Sequence, residues 1–147
     1  IMLGYLLADN PGTLVPPESI YGKGWYDTGD IVHVDDEGFI SIRGRSKRFA
    51  KVSGEMVSLT AVEQLAINAW PDGQHAAISL PDAKKGEQVI LVTTHKQATI
   101  NDLMAASPGV AHISLPKKIL IVDSIPVMAA GKIDYSAVIE LASGSSN

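Results

Sequence analysis

Apolar and polar residues change their spacing several times along the chain, and each change marks an element. Ile31-Val32-His33-Val34 and Phe39-Ile40-Ser41-Ile42 are short β-rich runs around Asp35-Asp36-Glu37-Gly38, a loop whose glycine suits the positive φ of a hairpin. Leu59, Val62, Leu65, Ala66 and Ala69 keep helical spacing, which predicts a helix from Leu59 to Trp70. Thr60 and Glu63 have the pattern of a capping box, and Pro71-Asp72-Gly73 stops the helix. Ala76 to Leu80 and Val89 to Thr94 read as strands, joined by a polar loop with Asp82, Lys84, Lys85 and Gly86. Thr99 with Asp102 opens a short helix that ends before Pro108-Gly109. Lys118 to Val122 is a third strand, and Asp134 caps a last helix that runs to about Ala142.

These elements divide the chain. From residue 45 onward, strands and helices alternate over roughly 100 residues, which predicts a small α+β domain with a sheet covered by helices. Residues 1–44 do not fit that layer. Their turns at Asn10-Pro11-Gly12 and Pro16-Pro17, followed by the hairpin, read as the trailing β-rich edge of a preceding domain. The expected organisation is a β segment at 1–44, the α+β domain at 45–142 and a disordered tail at 143–147.

Composition narrows the class without choosing a function. With 46% hydrophobic and 19% charged residues, the chain is globular rather than disordered. A net charge of -4 gives no basis for nucleic-acid binding. The absence of cysteine excludes a disulfide framework and thiolate-bound zinc, and an intracellular setting fits. Apolar runs such as Val89 to Val92 and Ile119 to Val122 are too short to cross a bilayer. The opening Ile-Met-Leu-Gly-Tyr-Leu-Leu lacks a basic leader and a cleavage pattern, so it does not read as a signal peptide, and the chain begins as though cut from something longer. His33, His75, His95 and His112 have no ligand spacing, and no metal site is expected. Trp25 and Trp70 read as packing anchors.

Three clusters carry candidate chemistry. Gly24-Trp25-Tyr26-Asp27-Thr28-Gly29-Asp30 puts a Thr-Gly-Asp turn at the entrance of a strand. Its carboxylate can accept two hydrogen bonds from a vicinal diol such as a ribose, although an ordinary turn before a hairpin uses the same residues. The run from Gly44 to Glu55 holds Arg45, Lys47, Arg48 and Lys51, with Gly44 and Gly54 near its ends. It fits a joint between domains with phosphate- or acid-facing cations, or else a solvated basic strand. Pro126-Val127-Met128-Ala129-Ala130-Gly131-Lys132 places a Gly-Lys on a loop just before the helix capped by Asp134. A long cation there can reach developing phosphate or carboxylate charge, or lie in solvent as a loop lysine. It is not a phosphate-binding P-loop, because the first glycine and the Ser or Thr after the lysine are missing.

Taken together, the order of these clusters resembles the adenylate-forming superfamily of acyl-CoA synthetases, nonribosomal peptide adenylation domains and luciferases. The shared pattern is Tyr26-x-Thr28-Gly29-Asp30, Gly44-Arg45, Gly54-Glu55, a helical Val62-Glu63, and Pro126 followed by Gly131-Lys132. The opening Ile-Met-Leu-Gly-Tyr-Leu is similar to the stretch that precedes these motifs, so the resemblance covers nearly the whole chain. Common acyl-CoA synthetases carry an aspartate two residues after the arginine, where this chain has Lys47. The runs Ser46 to Lys51 and Gly54 to Leu59 look closer to the acyl-acyl carrier protein synthetase half of bacterial bifunctional 2-acylglycerophosphoethanolamine acyltransferases.

The resemblance implies a ligase that uses ATP and Mg2+ in two half-reactions. A fatty acid attacks ATP to give acyl-adenylate and pyrophosphate, and a phosphopantetheine thiol then takes the acyl group. By the same resemblance, Asp30 holds the ribose hydroxyls, with Arg45 and Tyr26 also at the nucleotide. Lys132 is the catalytic lysine, bridging carboxylate and phosphate oxygens. Lys47 is the hinge of a mobile C-terminal lid, and Gly54 lies beside the pantetheine channel. Acyl carrier proteins are acidic, so Arg43, Arg48 and Lys51 are expected to dock one. CoA is the alternative acceptor, and a docking module without chemistry is the alternative function. The family's phosphate loop, acyl pocket and Mg2+ glutamate would precede residue 1, in the chain's own N-terminal domain, so the isolated chain is expected to be inactive. The implied parent sits at the inner membrane, with this part soluble on the cytoplasmic face.

Overall fold

Val89 to Val92 form an unbroken apolar run, and all four are buried. Consecutive strand residues point to opposite faces, so such a run belongs in a sheet covered on both sides. The computed structural model, which describes residues 3–144, has that arrangement. It divides into two compact units, Ile1–Ser46 and Lys47–Asn147.

The first unit is a series of antiparallel pairs: β1 (Tyr5–Leu6) with β2 (Leu14–Val15), β3 (Glu18–Ser19) with β4 (Gly22–Lys23), and β5 (Asp30–Val34) with β6 (Ile40–Arg45). The expected 35–38 loop closes the last pair, where Asp35 accepts from the Glu37 and Phe39 N–H groups at 3.0 and 2.9 Å. A two-stranded ribbon cannot bury its own apolar side chains. Val32, Val34, Ile40 and Ile42 accordingly stay exposed. Trp25 is exposed too and rests on Tyr21, so it is not the packing anchor expected of it.

In the second unit, β7 (Phe49–Val52) and β8 (Glu55–Ser58) lead into α1 (Leu59–Ala69), β9 (His75–Asp82), β10 (Gly86–Thr93), α2 (Ile100–Ala105), β11 (Lys118–Ile121) and α3 (Tyr135–Gly144). β10 pairs antiparallel with β9 along its whole length and parallel with β11. At Gly86 it also meets β7, which pairs antiparallel with β8. Leu59, Val62 and Ala66 from α1, its C-cap Trp70, and Leu103 from α2 pack on Ala77, Val89 and Leu91. On the opposite face Val138 and Ala142 of α3 cover Ala76, Ile78, Ile90 and Val92. A sheet with helices on both faces matches the expected α+β class. Truncating a fully buried side chain such as Leu91 to alanine would cost about 2–5 kcal/mol.

Three local expectations need correction. The helix cap is Ser58, whose hydroxyl accepts from Ala61 N–H at 3.2 Å, and not Thr60. Glu63 is therefore not half of a capping box; its carboxylate points elsewhere, as described below. The basic run is not one solvated strand, because from Phe49 onward it folds into the β7–β8 hairpin. Ser53 and Gly54 form the turn with φ of 50° and 91°, a pair of positive angles that matches the twist of the flanking strands. Ala50 and Val52 are buried between exposed Lys51 and the turn. At the other end, α3 continues through Ser143 and Gly144, two residues into the stretch expected to be disordered, while 145–147 lie outside the described residues.

Candidate functional site

In the first unit, the Tyr26-to-Asp30 turn is held by its own side chains. Asp27 accepts from Gly29 N–H at 2.8 Å, and the Thr28 hydroxyl accepts from Asp30 N–H at 3.2 Å. Asp30 then sits opposite Arg45 in the β5–β6 register, with Arg45 Nε 2.9 Å from Asp30 Oδ1. Arg45 also donates through Nη1 to the Thr28 carbonyl at 2.7 Å. The fold thus brings Asp30 and Arg45 together. Tyr26 lines a cavity of about 590 Å³ with Tyr21, Trp25 and Thr28, and its ring lies 6.4 Å from that of Tyr5.

In the second unit, Lys132 stands on a tight loop closed by a bridge between Val127 and Ile133. Met128 N–H donates to the Lys132 carbonyl at 2.8 Å, and Gly131 N–H to the Met128 carbonyl at 2.8 Å. The turn needs positive φ at Gly131, 76°, which a glycine supplies without strain. Beyond the lysine, Asp134 N–H donates to the Pro126 carbonyl at 2.9 Å. Asp134 caps α3 as expected, accepting from the Ser136 and Ala137 N–H groups at 3.1 Å each. The backbone is therefore fixed on both sides of Lys132, while its side chain is exposed. Among the described residues its ammonium meets no carboxylate.

Lys47 begins the second unit, inside a 3-10 turn at Ser46–Arg48. Arg48 departs from its expected role, because its guanidinium is turned inward. It donates to Glu63 Oε1 at 2.7 Å and to the Ala77 carbonyl at 3.0 Å, and lies 3.9 Å from the centre of the Tyr135 ring. Glu63 also accepts from Ala77 N–H at 2.9 Å and from the Tyr135 hydroxyl at 3.0 Å. Burial raises the Tyr135 phenol above its ordinary pKa, and the Glu63 charge adds to that shift while Arg48 opposes it. This network went unread in the sequence, although a signal for it exists. Leu59, Val62, Glu63 and Ala66 share one helical face, and a carboxylate on an apolar face must find partners.

Arg43 and Lys51 are exposed. Gly54, at the tip of the β7–β8 turn, has open space where a Cβ would stand. No three His, Asp or Glu side chains converge as a metal site among the described residues. No helix among them is long and apolar enough to cross a membrane.

No protein-family model matches the chain. A probable CoA ligase from Humulus lupulus is 31% identical over 121 residues, which are 80% of this chain and 23% of that protein. A fatty acyl CoA synthetase structure from Mycobacterium tuberculosis superposes with a TM-score of 0.63 at 32% identity, over 83% of this chain and 25% of its own. ATP-bound MatB from Rhodopseudomonas palustris gives a TM-score of 0.65 at 26% identity, over 84% and 25%. The chain spans about a quarter of the length of these proteins. Its mixed sheet and three helices match the C-terminal domain of acyl-CoA synthetases.

Proposed function

We propose that this chain, whose homologues are the C-terminal regions of ATP-dependent acyl-CoA ligases, is the lid-bearing end of such a ligase and supplies Lys132 to adenylation. The observation that carries the reading is an exposed ammonium that meets no carboxylate among the described residues, on a loop whose backbone is fixed on both sides of it. When a carboxylate attacks the α-phosphorus of ATP, negative charge shifts onto the bridging oxygens as pyrophosphate leaves. A lysine with no carboxylate partner among the described residues can donate to those oxygens without first breaking an ion pair. Asp30 would accept from the ribose hydroxyls while Arg45 orients it, and Tyr26 would line the nucleotide side. Lys47, at the start of the second unit, supports a hinge there.

For the second half-reaction, the relatives favour the thiol of CoA over that of an acyl carrier protein. The hop and mycobacterial proteins are named for CoA chemistry. Arg48, one of the three cations expected to dock a carrier protein, is occupied internally. The Lys47 departure and the exposed Arg43 and Lys51 are what remain of the carrier-protein reading, and with it of a phospholipid-reacylating parent at the inner membrane. A fatty acid remains the proposed acyl donor.

The test is made in the longer ligase that carries this chain. Lys132→Ala should abolish pyrophosphate release yet spare thioester formation from supplied acyl-adenylate, whereas equal loss of both steps would make the lysine structural. Comparing CoA with holo carrier protein as acceptor in the same enzyme decides between them, and preference for carrier protein would overturn the CoA assignment. The 147-residue chain alone should show no pyrophosphate exchange.

A further inference from the structure

We propose that Arg48, Glu63 and Tyr135 are positioning residues that couple the hinge at Lys47 to the loop presenting Lys132. The proposal rests on the ligase reading, since it concerns what moves that lysine.

Among the described residues β9 pairs with one strand, β10, so its far edge must satisfy its backbone groups by other means. At Ala77 the side chains of Glu63 and Arg48 do so, one taking the N–H and the other donating to the carbonyl. The pair thus stands in for a neighbouring strand at that residue. It also ties three separate pieces of chain together: the 3-10 turn at Ser46–Arg48, helix α1 and strand β9.

Tyr135 extends the tie to a fourth piece. Its hydroxyl donates to the same Glu63 Oε1 that receives Arg48, and its ring carries the guanidinium on its face. Tyr135 is the first residue of α3, in the turn capped by Asp134. Asp134 N–H is held by Pro126, at the base of the Lys132 loop. The path from the hinge to the lysine therefore has few soft steps. Lys47 is bonded to Arg48, Arg48 grips Glu63 and Tyr135, and Tyr135 lies three residues beyond Lys132. Lys47 and Tyr135 also line one cavity of about 360 Å³, with Ser79, Glu87 and Ile139.

A stability role alone is a poor account of this arrangement. A desolvated ion pair often contributes no more than an apolar packing of the same volume, whereas it fixes geometry more narrowly. The guanidinium's planar fork and its stacking on a ring need one orientation, which a lysine at 48 would not impose. A backbone rotation at residue 47 that displaced Arg48 would have to carry Tyr135 with it or break the tie. The lid would then present Lys132 in one rigid relation to its hinge.

Amide hydrogen exchange on the 147-residue chain tests the coupling without any assay of catalysis. Tyr135→Phe keeps the ring and removes only the bond to Glu63. The Met128 amide, held by the Lys132 carbonyl, should then exchange about tenfold faster, the size expected from losing one bond to a charged acceptor. The Leu91 amide in the central strand reports global stability and should not follow. Arg48→Lys should give the same local signature. Equal acceleration at Met128 and Leu91, or none at Met128, would overturn the proposal. In the longer ligase, Tyr135→Phe should lower kcat for adenylation and leave the KM for ATP unchanged, and an unchanged kcat would overturn it. Lys132→Ala, run alongside, reports on the ligase reading separately, because the exchange result does not depend on it.

Discussion

Asp30 and Arg45 are register partners across the β5–β6 hairpin, and their side chains meet there in a 2.9 Å ion pair. One guanidinium also reaches the Thr28 carbonyl, so it spans the Thr28-Gly29-Asp30 turn. The arginine side chain is 65% exposed, so the pair adds only about 0–1 kcal/mol to stability. Its consequence is orientation. Arg45 engages Oδ1 and leaves Oδ2 as an acceptor for a ribose hydroxyl.

Arg45→Ala should therefore separate binding from folding. Thermal unfolding of the chain should change by less than about 1 kcal/mol. In the longer ligase, the KM for ATP should rise about tenfold, as expected when an acceptor to a diol loses its orienting partner. A large loss of stability would instead make the pair a structural clasp.

Glu63→Ala should behave in the opposite way. Glu63 and Arg48 have side chains only 13% and 18% exposed, and removing the carboxylate strands Arg48, the Ala77 N–H and the Tyr135 hydroxyl together. The cost should be about 2–4 kcal/mol, read from the urea midpoint. A change below about 0.5 kcal/mol would show that water replaces the carboxylate at this site.

How much of this was legible in the sequence depends on range. Val89 to Val92, Thr99 with Asp102, and Asp134 before α3 declared their elements, because periodicity and capping act over a few residues. The 44–55 run misled because its cations were read together, although Arg48 and Lys51 have opposite fates. Strand alternation across Ala50 and Val52 decides Lys51, whereas Arg48 is settled by a helix fifteen residues away and a strand farther still. Trp25 misled for a different reason: its ribbon has no second layer among its own residues to bury an indole. The Asp30–Arg45 pairing went unread, since hairpin register with a bulge between Ile31 and Val32 is not written in spacing.

Acid should destabilise the second unit in two separate windows. His75 is buried, with Nε2 donating to the Trp70 carbonyl at 2.9 Å and Nδ1 accepting from the Thr93 hydroxyl at 2.8 Å. Burial holds its pKa below the usual 6.5, and the Trp70 carbonyl only partly offsets this. The unfolded ring therefore takes its proton first as pH falls. Stability should be full above about pH 6.5 and decline below it. Asp82 acts lower down: the Lys117 ammonium, with the Lys84 and Lys85 amides, holds its carboxyl at about 2 against a usual 3.8. Its contribution should persist above 3.8 and vanish as pH falls toward about 2. Urea midpoints measured from neutral pH downward should show the first slope, and His75→Phe should flatten it. A midpoint independent of pH between about 7.5 and 5 would mean that the ring charges equally in both states.

Gly54 offers a way to tell a turn residue from a channel residue. Its φ of 91° is costly for most side chains, so Gly54→Ala should lose about 1–2 kcal/mol through the backbone alone. Asparagine tolerates the left-handed region, so Gly54→Asn should keep the β7–β8 hairpin nearly intact. A Cβ there meets nothing within 4 Å, so the added side chain costs no packing in this chain. If a pantetheine arm passes close to this turn, Gly54→Asn will slow thioester formation from supplied acyl-adenylate about tenfold or more while adenylation proceeds normally. Unchanged rates in both half-reactions, with stability preserved, would reduce Gly54 to a hairpin glycine and place the thiol's route elsewhere.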